Sequence, residues 1–359
     1  MRYLGMDVHM GSSVWCLLND RGEETGRGKV ATTADSIRGL VESLSGEDEL
    51  LVGQEVGTMS HYVHDAVNAA GVRILSFNAQ HLRMISSSRK KTDRRDAYWI
   101  AKTLQTGMMP HPVYIPREKE RQLRRLLSTR DGVMRERQRW MVRAGSYLKG
   151  AGLHGGPGAR VGKALVQEVI EDLEDREPDL VAALQLCQRQ ESLLSQELAV
   201  IDAKLRQETR GIDDIRRLMT IPGVGLLVGT AIYAWVGDVT RFRNAKTLAA
   251  YAGLVTSVWQ TGETLKSGHI TKQGSPALRR MLVQAAQVLI SRCRTPEAWP
   301  LQAIAMRVQD SRHRRKIAVV ALARHILRVS YYVLRDGTVY DPALLHSVQQ
   351  EDNTGETAA

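Results

Sequence analysis

Tyr3-Leu4-Gly5-Met6-Asp7 and Leu50-Leu51-Val52-Gly53-Gln54-Glu55 are two short apolar runs, each ending on a carboxylate. Runs of this length, bounded by polar and glycine residues, read as buried strands. Val8-His9-Met10-Gly11-Ser12 turns the first run back into a second strand, a hairpin. Working outward, strands are expected over 2–7, 13–18, 26–31, 50–55 and 72–77, with helices over 33–44, 60–70 and 94–106. Thr33 or Asp35 is placed to cap the first helix, and Gly71 ends the second. Three early strands followed by alternating helix and strand predict a mixed sheet covered by helices, an α/β domain.

The strand ends carry Asp7 and Glu55. Two further acids, Asp93 and Asp96, lie three apart in Lys91-Thr92-Asp93-Arg94-Arg95-Asp96-Ala97, just before an apolar helix pattern. That spacing puts both on one helix face. Carboxylates at adjacent strand ends, facing a helix that bears two more, would form an oxygen-rich pocket suited to Mg²⁺. Taken singly, each acid is as readily explained by a strand end or by the helix dipole. The joint pattern points to a metal site. Arg89-Lys90-Lys91, Arg94 and Arg95 surround the acidic pair and suit phosphate.

Composition agrees. The 359 residues are enough for two or three domains, and the net charge of +11 favours a polyanionic partner. The basic residues concentrate at 83–95, 117–143, 206–217, 241–246, 272–280 and 307–328, intervals better matched to a long nucleic acid than to a small anion. Cys16, Cys187 and Cys293 are far apart with no CxxC, which argues against a disulfide framework or a zinc site and fits a reducing cytoplasm. No signal peptide is expected, because Asp7 interrupts the early apolar stretch. No apolar run is expected to span a membrane.

Pro110, Pro112 and Pro116 mark a linker. A long helical pattern follows over 117–149, with Leu126, Val133, Trp140 and Tyr147 recurring every seven residues, beside Leu127, Met134, Met141 and Leu148. A Gly-rich break covers 150–162. A second long helix over 177–209 repeats Leu180, Leu184, Cys187, Leu194, Leu198, Ile201 and Leu205, interrupted by Glu191. The pair reads either as an antiparallel coiled-coil arm, or dimerisation pair, or as an ordinary bundle packed on the core. Residues 212–340 read as mostly α, with helices over 226–236, 245–252, 276–292, 297–309 and 313–335, and a Gly/Ser/Thr-rich loop over 253–275. Ile221-Pro222-Gly223-Val224-Gly225 is similar to a helix-hairpin-helix turn, which can hold a DNA phosphate. Trp259 is the better candidate for stacking on bases, while Trp140 and Trp235 read as core. Lys272, Arg279 and Arg280 are candidate phosphate contacts; His9 and His269 are candidate accessories to the chemistry but read more readily as ordinary surface or phosphate-contacting histidines.

The early element order is that of an RNase H-like domain. Three segments together also resemble a known family. They are Gly5-Met6-Asp7-Val8-His9, then Lys91–Ala97, then a C-terminal set. That set comprises Ile221–Gly225, Leu248-Ala249-Ala250-Tyr251-Ala252-Gly253-Leu254, Gly268-His269-Ile270-Thr271-Lys272-Gln273-Gly274 and Leu278-Arg279-Arg280. Over roughly residues 1–335 the chain resembles the DEDD-type insertion-sequence transposases, relatives of the Piv invertase and bridge-RNA-guided recombinases. The resemblance implies a RuvC-like N-terminal domain with Asp7, Glu55, Asp93 and Asp96 binding Mg²⁺. It also implies a C-terminal hydroxyl that becomes joined to DNA, and a composite site between subunits. A structured RNA pairing with donor and target DNA is implied too.

One departure concerns the nucleophile. The family serine of a Ser-Gly pair aligns here with Thr261-Gly262. The threonine methyl limits rotamers and crowds an in-line attack. Thr261 is favoured; Ser257 or Ser267 in a shifted loop, or an inactive copy, are the alternatives. The domains expected are a RuvC-like domain over 1–110, coiled-coil and linker helices over 111–211, a C-terminal transposase domain over 212–345, and a disordered tail over 346–359. The expected protein is a cytoplasmic homodimer or tetramer acting on DNA, with no membrane partner. A hydrolytic RuvC-like junction nuclease and a degenerate nucleic-acid-binding protein are the rival readings.

Overall fold

A computed structural model describes residues 1–46, 48–79, 92–108, 111–153, 161–173, 176–261, 264–308, 315–343 and 345. Arg89, Lys90, Lys91, Pro110, Gly262 and the expected tail therefore lie outside the described residues. The chain divides into two compact units, 1–116 and 117–359.

The first unit is built on five strands: β1 (Arg2–Val8), β2 (Ser12–Leu18), β3 (Glu24–Ala31), β4 (Leu50–Glu55) and β5 (Arg73–Phe77). Their order across the sheet is β3-β2-β1-β4-β5. The β1–β2 and β2–β3 pairs are antiparallel, and β1–β4 and β4–β5 are parallel, so the sheet is mixed as expected. One face carries α1 (Ala34–Leu44) and α2 (Ser60–Ala69), whose Ile37, Val41, Val63 and Val67 join Leu4, Met6 and Val52 in a core. Thr33 caps α1, its hydroxyl accepting from the Ser36 amide.

The other face receives α3 (Asp93–Thr106). Strand alternation puts Gly5 and Asp7 on one face of β1, and Gly53 and Glu55 on one face of β4. Gly5 and Gly53 are direct partners in the parallel register. A Cβ at Gly5 would lie 2.1 Å from the Ala97 carbonyl oxygen, and one at Gly53 would lie 2.9 Å from Ile100. The paired glycines thus open a notch in the sheet, and α3 enters it through Ala97 and Ala101.

In the second unit, α4 (Glu118–Gly150) and α6 (Pro178–Thr209) lie antiparallel. Lys119 pairs with Glu208, Arg130 with Asp202, and Arg137 with Glu191. Between them in sequence comes α5 (Lys163–Leu173), a helix the sequence reading passed over. Its Val166, Val169, Ile170 and Leu173 pack with Ala144, Leu148, Val181 and Leu184. Glu191 interrupts the heptads because it is a buried anchor. Its carboxylate takes Lys163 of α5 and accepts from Ser195 at 2.9 Å, and those bonds hold its pKa below the ordinary value although burial opposes them.

The remaining helices are α7 (Asp213–Leu218), α8 (Leu226–Val236), α9 (Ala245–Tyr251), α10 (Pro276–Arg292), α11 (Trp299–Val308) and α12 (Arg315–Asp336). They share one large core, in which Leu278, Leu282, Leu322 and Ile326 are fully buried. Contrary to expectation, α12 is long and apolar enough to cross a membrane: 22 residues with mean hydropathy 1.5 in its best window. That window is 72% buried within the protein, so its apolar face is core here. A second difference is the segment after Gly253, expected as loop. It forms an antiparallel hairpin, β6 (Thr256–Thr261) and β7 (Thr264–Ile270). Its Thr, Val and Trp residues favour a strand despite the flanking glycines.

Candidate functional site

Extending the β1–β4 register one step past Met6↔Gln54 brings Asp7 abreast of Glu55 at the same sheet edge. The α3 helix delivers Asp93 and Asp96 in its first turn, where the helix dipole favours anions. The glycine notch fixes the depth at which that turn meets the strands.

Asp7 registers the result. Its carboxyl is held above the ordinary value first by burial, and then by the negative charges of Asp96, Asp93 and Glu55, with His9 opposing. The other three predicted acids are thus near enough to bear on Asp7, although among the described residues only Asp93 joins it and His9 in one ligand-sized cluster. Asp7, His9 and Asp93 present ligand atoms within 4.8 Å of one another. His9 Nε2 lies 3.3 Å from Asp7 Oδ2 and 3.6 Å from Asp93 Oδ2. Hard oxygen donors that repel one another suit a divalent cation, which would remove the repulsion.

His9 is the member that sequence reading undervalued. Its backbone is fixed by a buried chain: Ser13 Oγ lies 2.9 Å from Thr32 Oγ1, which donates to the His9 carbonyl at 2.8 Å. The available signal was its spacing, two residues after Asp7 where the strand ends. Beneath Glu55, buried Gln54 donates to the Ser60 carbonyl and the Ser76 hydroxyl at 2.9 and 3.0 Å, fixing the loop that follows. Arg94 and Arg95 are exposed beside the acids.

In the second unit, Thr261 is the last residue of β6 and stands opposite Thr264 beside the hairpin turn. The Ser257 hydroxyl donates to the His269 carbonyl at 3.1 Å. Trp259, opposite Lys266 in the register, is 73% exposed. Trp140 and Trp235 are partly buried against cores.

The hairpin base is tightly determined. Gly253 and Gly274 have φ of +68° and +91°, and a Cβ on either would strike backbone at 2.0 or 1.9 Å. Arg279, expected at phosphate, instead donates through Nη1 to the carbonyls of Ala252, Gln273 and Gly274 at 3.0, 3.0 and 3.2 Å. Arg280 pairs with Asp131 of α4 at 2.8 Å. Gly223, in the turn between α7 and α8, has φ of +83°, and a Cβ there would meet the Ala285 carbonyl at 2.9 Å, so this glycine serves packing.

Comparison with known proteins places both units. A DEDD-type transposase model of the IS110 kind matches residues 4–152, and the Transposase IS116/IS110/IS902 family model matches residues 215–300. The chain is 25% identical over 290 residues to the transposase for insertion sequence element IS1328 of Yersinia enterocolitica, spanning 81% of this chain and 85% of that protein. It is 25% identical over 295 residues to the transposase for insertion sequence element IS1111A of Coxiella burnetii, spanning 81% and 78%. It is 33% identical over 125 residues to the pilin gene-inverting protein of Moraxella lacunata, spanning 34% and 38%. A DEDD domain implies use of a divalent metal ion. With the acids inside the first match and the hairpin inside the second, the chain carries IS110/IS116 family transposase domains and is an enzyme acting on DNA.

Proposed function

We propose that this transposase cuts and rejoins DNA through a covalent protein–DNA intermediate, with Mg²⁺ as its metal and a structured bridge RNA selecting donor and target. The observation that carries the reading is geometric: Asp7 and Glu55 end neighbouring strands at one sheet edge, and Asp93 of α3 meets Asp7 across His9. Asp7, Glu55, Asp93 and Asp96 would hold the ion. Bound there, Mg²⁺ supplies charge stabilisation to a phosphodiester in displacement. The sheet order β3-β2-β1-β4-β5, with an antiparallel first half and a parallel second, supports reading the first unit as RuvC-like.

The hydroxyl is assigned to Thr261. A new Thr261 Oγ–P bond forms as a DNA P–O bond breaks; the hydroxyl proton passes to a base and the departing DNA oxygen takes one up. A DNA hydroxyl then attacks the same phosphorus and frees Thr261. Each step exchanges one phosphodiester for another, so no ATP is consumed. Ser257 is the weaker candidate, because its proton is committed to a backbone carbonyl. Four DNA ends require more than one chain, hence a homodimer or tetramer, working in a reducing cytoplasm.

Trapping on a denaturing gel tests this. Purified protein, element-flanking RNA, Mg²⁺ and labelled donor DNA should give a protein–DNA adduct, lost in Thr261→Ala and Asp7→Asn and kept in Thr261→Ser. Free 5′-phosphate ends with no adduct would instead mark a hydrolytic nuclease. Binding without cleavage, repaired by Thr261→Ser, would mark a degenerate copy.

A further inference from the structure

The His9 ring is 54% exposed, so packing does not account for its position. Its backbone is nevertheless pinned to the end of β3 through Ser13 and Thr32, both buried. The Thr32 amide also donates to the Gly11 carbonyl at 3.3 Å, which holds the β1–β2 turn at a second point. His9 follows Asp7 by two residues, and that spacing returns the imidazole to the face of β1 that meets α3. A half-exposed ring on a rigid backbone is a feature that folding alone does not require.

The distances narrow what the ring is set to do. His9 Nε2 lies 3.3 Å from Asp7 Oδ2 and 3.6 Å from Asp93 Oδ2. A charge-assisted hydrogen bond would draw each oxygen to about 2.7–2.9 Å. Two donors on one ion stand further apart. Bonds of about 2.0–2.2 Å, set about 90–110° from each other, leave the donor atoms roughly 3.0–3.6 Å apart. His9 thus stands off both carboxylates by the span of neighbouring ligands. Those carboxylates come from different elements, β1 and α3, so the imidazole sits between the strand and the helix that an ion here would join.

We infer that His9 is a nitrogen ligand of the divalent ion, alongside Asp7 and Asp93, and that it biases the site toward first-row transition ions such as Mn²⁺ over Mg²⁺. Carboxylate oxygens serve Mg²⁺ and Mn²⁺ alike, whereas an imidazole nitrogen adds affinity for the softer transition ions and little for Mg²⁺. The inference rests on the metal site of the proposed function and changes the ligand set of that site, not its role. Mg²⁺ still enters on the carboxylates, and Mn²⁺ gains one more donor.

Pulsed electron paramagnetic resonance of Mn²⁺ on the full chain, free of nucleic acid, tests it. The spin echo should carry modulation from a directly bound ¹⁴N nucleus. That modulation should change when histidine is ¹⁵N-labelled, and should vanish in His9→Gln, which offers an uncharged oxygen donor instead. In competition titrations the preference for Mn²⁺ over Mg²⁺ should fall roughly tenfold in His9→Gln. Metal-free melts of the variant should match the wild type, because the ring is not part of the core. Mn²⁺ bound without a histidine nitrogen coupling, or a preference unchanged in His9→Gln, would overturn the assignment and leave the carboxylate site standing. Failure of the wild type to bind Mn²⁺ at all would remove both.

Discussion

Gly5 shows how much one missing methyl group determines. Its Cβ position is occupied by the Ala97 carbonyl of α3 at 2.1 Å. Gly5→Ala must push the helix off the sheet, an overpacking cost of about 1–3 kcal/mol. A thermal melt should fall by about 5–15 °C, and divalent-ion binding should weaken with it because Asp93 and Asp96 ride on that helix. Gly39→Ala is the control: it lies exposed in α1 with nothing within 4 Å, and should leave the melt unchanged or slightly raised. At the same scale, the raised Asp7 carboxyl fixes the sign of a pH effect. The folded protein holds that proton more tightly than the unfolded chain does. The Asp7 contribution to metal-free stability is therefore fully present below the ordinary carboxylate range and is lost as pH rises through the raised Asp7 value, opposite in sign to that of Glu191. The difference in melting temperature between wild type and Asp7→Asn, both metal-free, should show the decline across that range. Asp96→Asn should flatten it and raise the metal-free melting temperature at neutral pH by about 3 °C. A divalent ion should reverse the slope.

At the element scale, the hairpin base depends on Arg279. Its guanidinium donates to three carbonyls, and a hydrogen bond to a charged group contributes about 1.5–3 kcal/mol. Arg279→Met should lower the melting temperature by several degrees while leaving the salt dependence of DNA binding unchanged. A reduced salt slope would mean Arg279 contacts phosphate instead. The elements also show what sequence reading can reach. The strands over 2–31 and 50–77 were legible because apolar runs and turn residues coincide there, whereas the pairing of Gly5 with Gly53 came only with the register of β1 on β4. The α5 helix was not legible, because its apolar face makes sense only against Leu148 and Leu184, residues distant in sequence. The Glu191 interruption looked like a flaw in the heptads until Lys163 supplied its partner. The β6–β7 hairpin was hidden by its glycines, which mark its base at Gly253 and Gly274. His9 was hidden by its commonness: a histidine after a strand carries no signal until Asp93 is brought beside it.

For the whole molecule, a net charge of +11 and basic stretches in both units predict DNA binding that weakens steeply with salt, more steeply than any single cluster allows. The central claim is narrower: four carboxylates drawn from β1, β4 and α3 form one divalent-metal site. Mn²⁺ titration of nucleic-acid-free protein, followed by electron paramagnetic resonance, tests it most directly. Tight binding to the wild type should weaken about tenfold or more in each of Asp7→Asn, Glu55→Gln, Asp93→Asn and Asp96→Asn, a loss of about 1.4 kcal/mol or more. Binding that is absent from the wild type, or that survives all four substitutions unchanged, would contradict it.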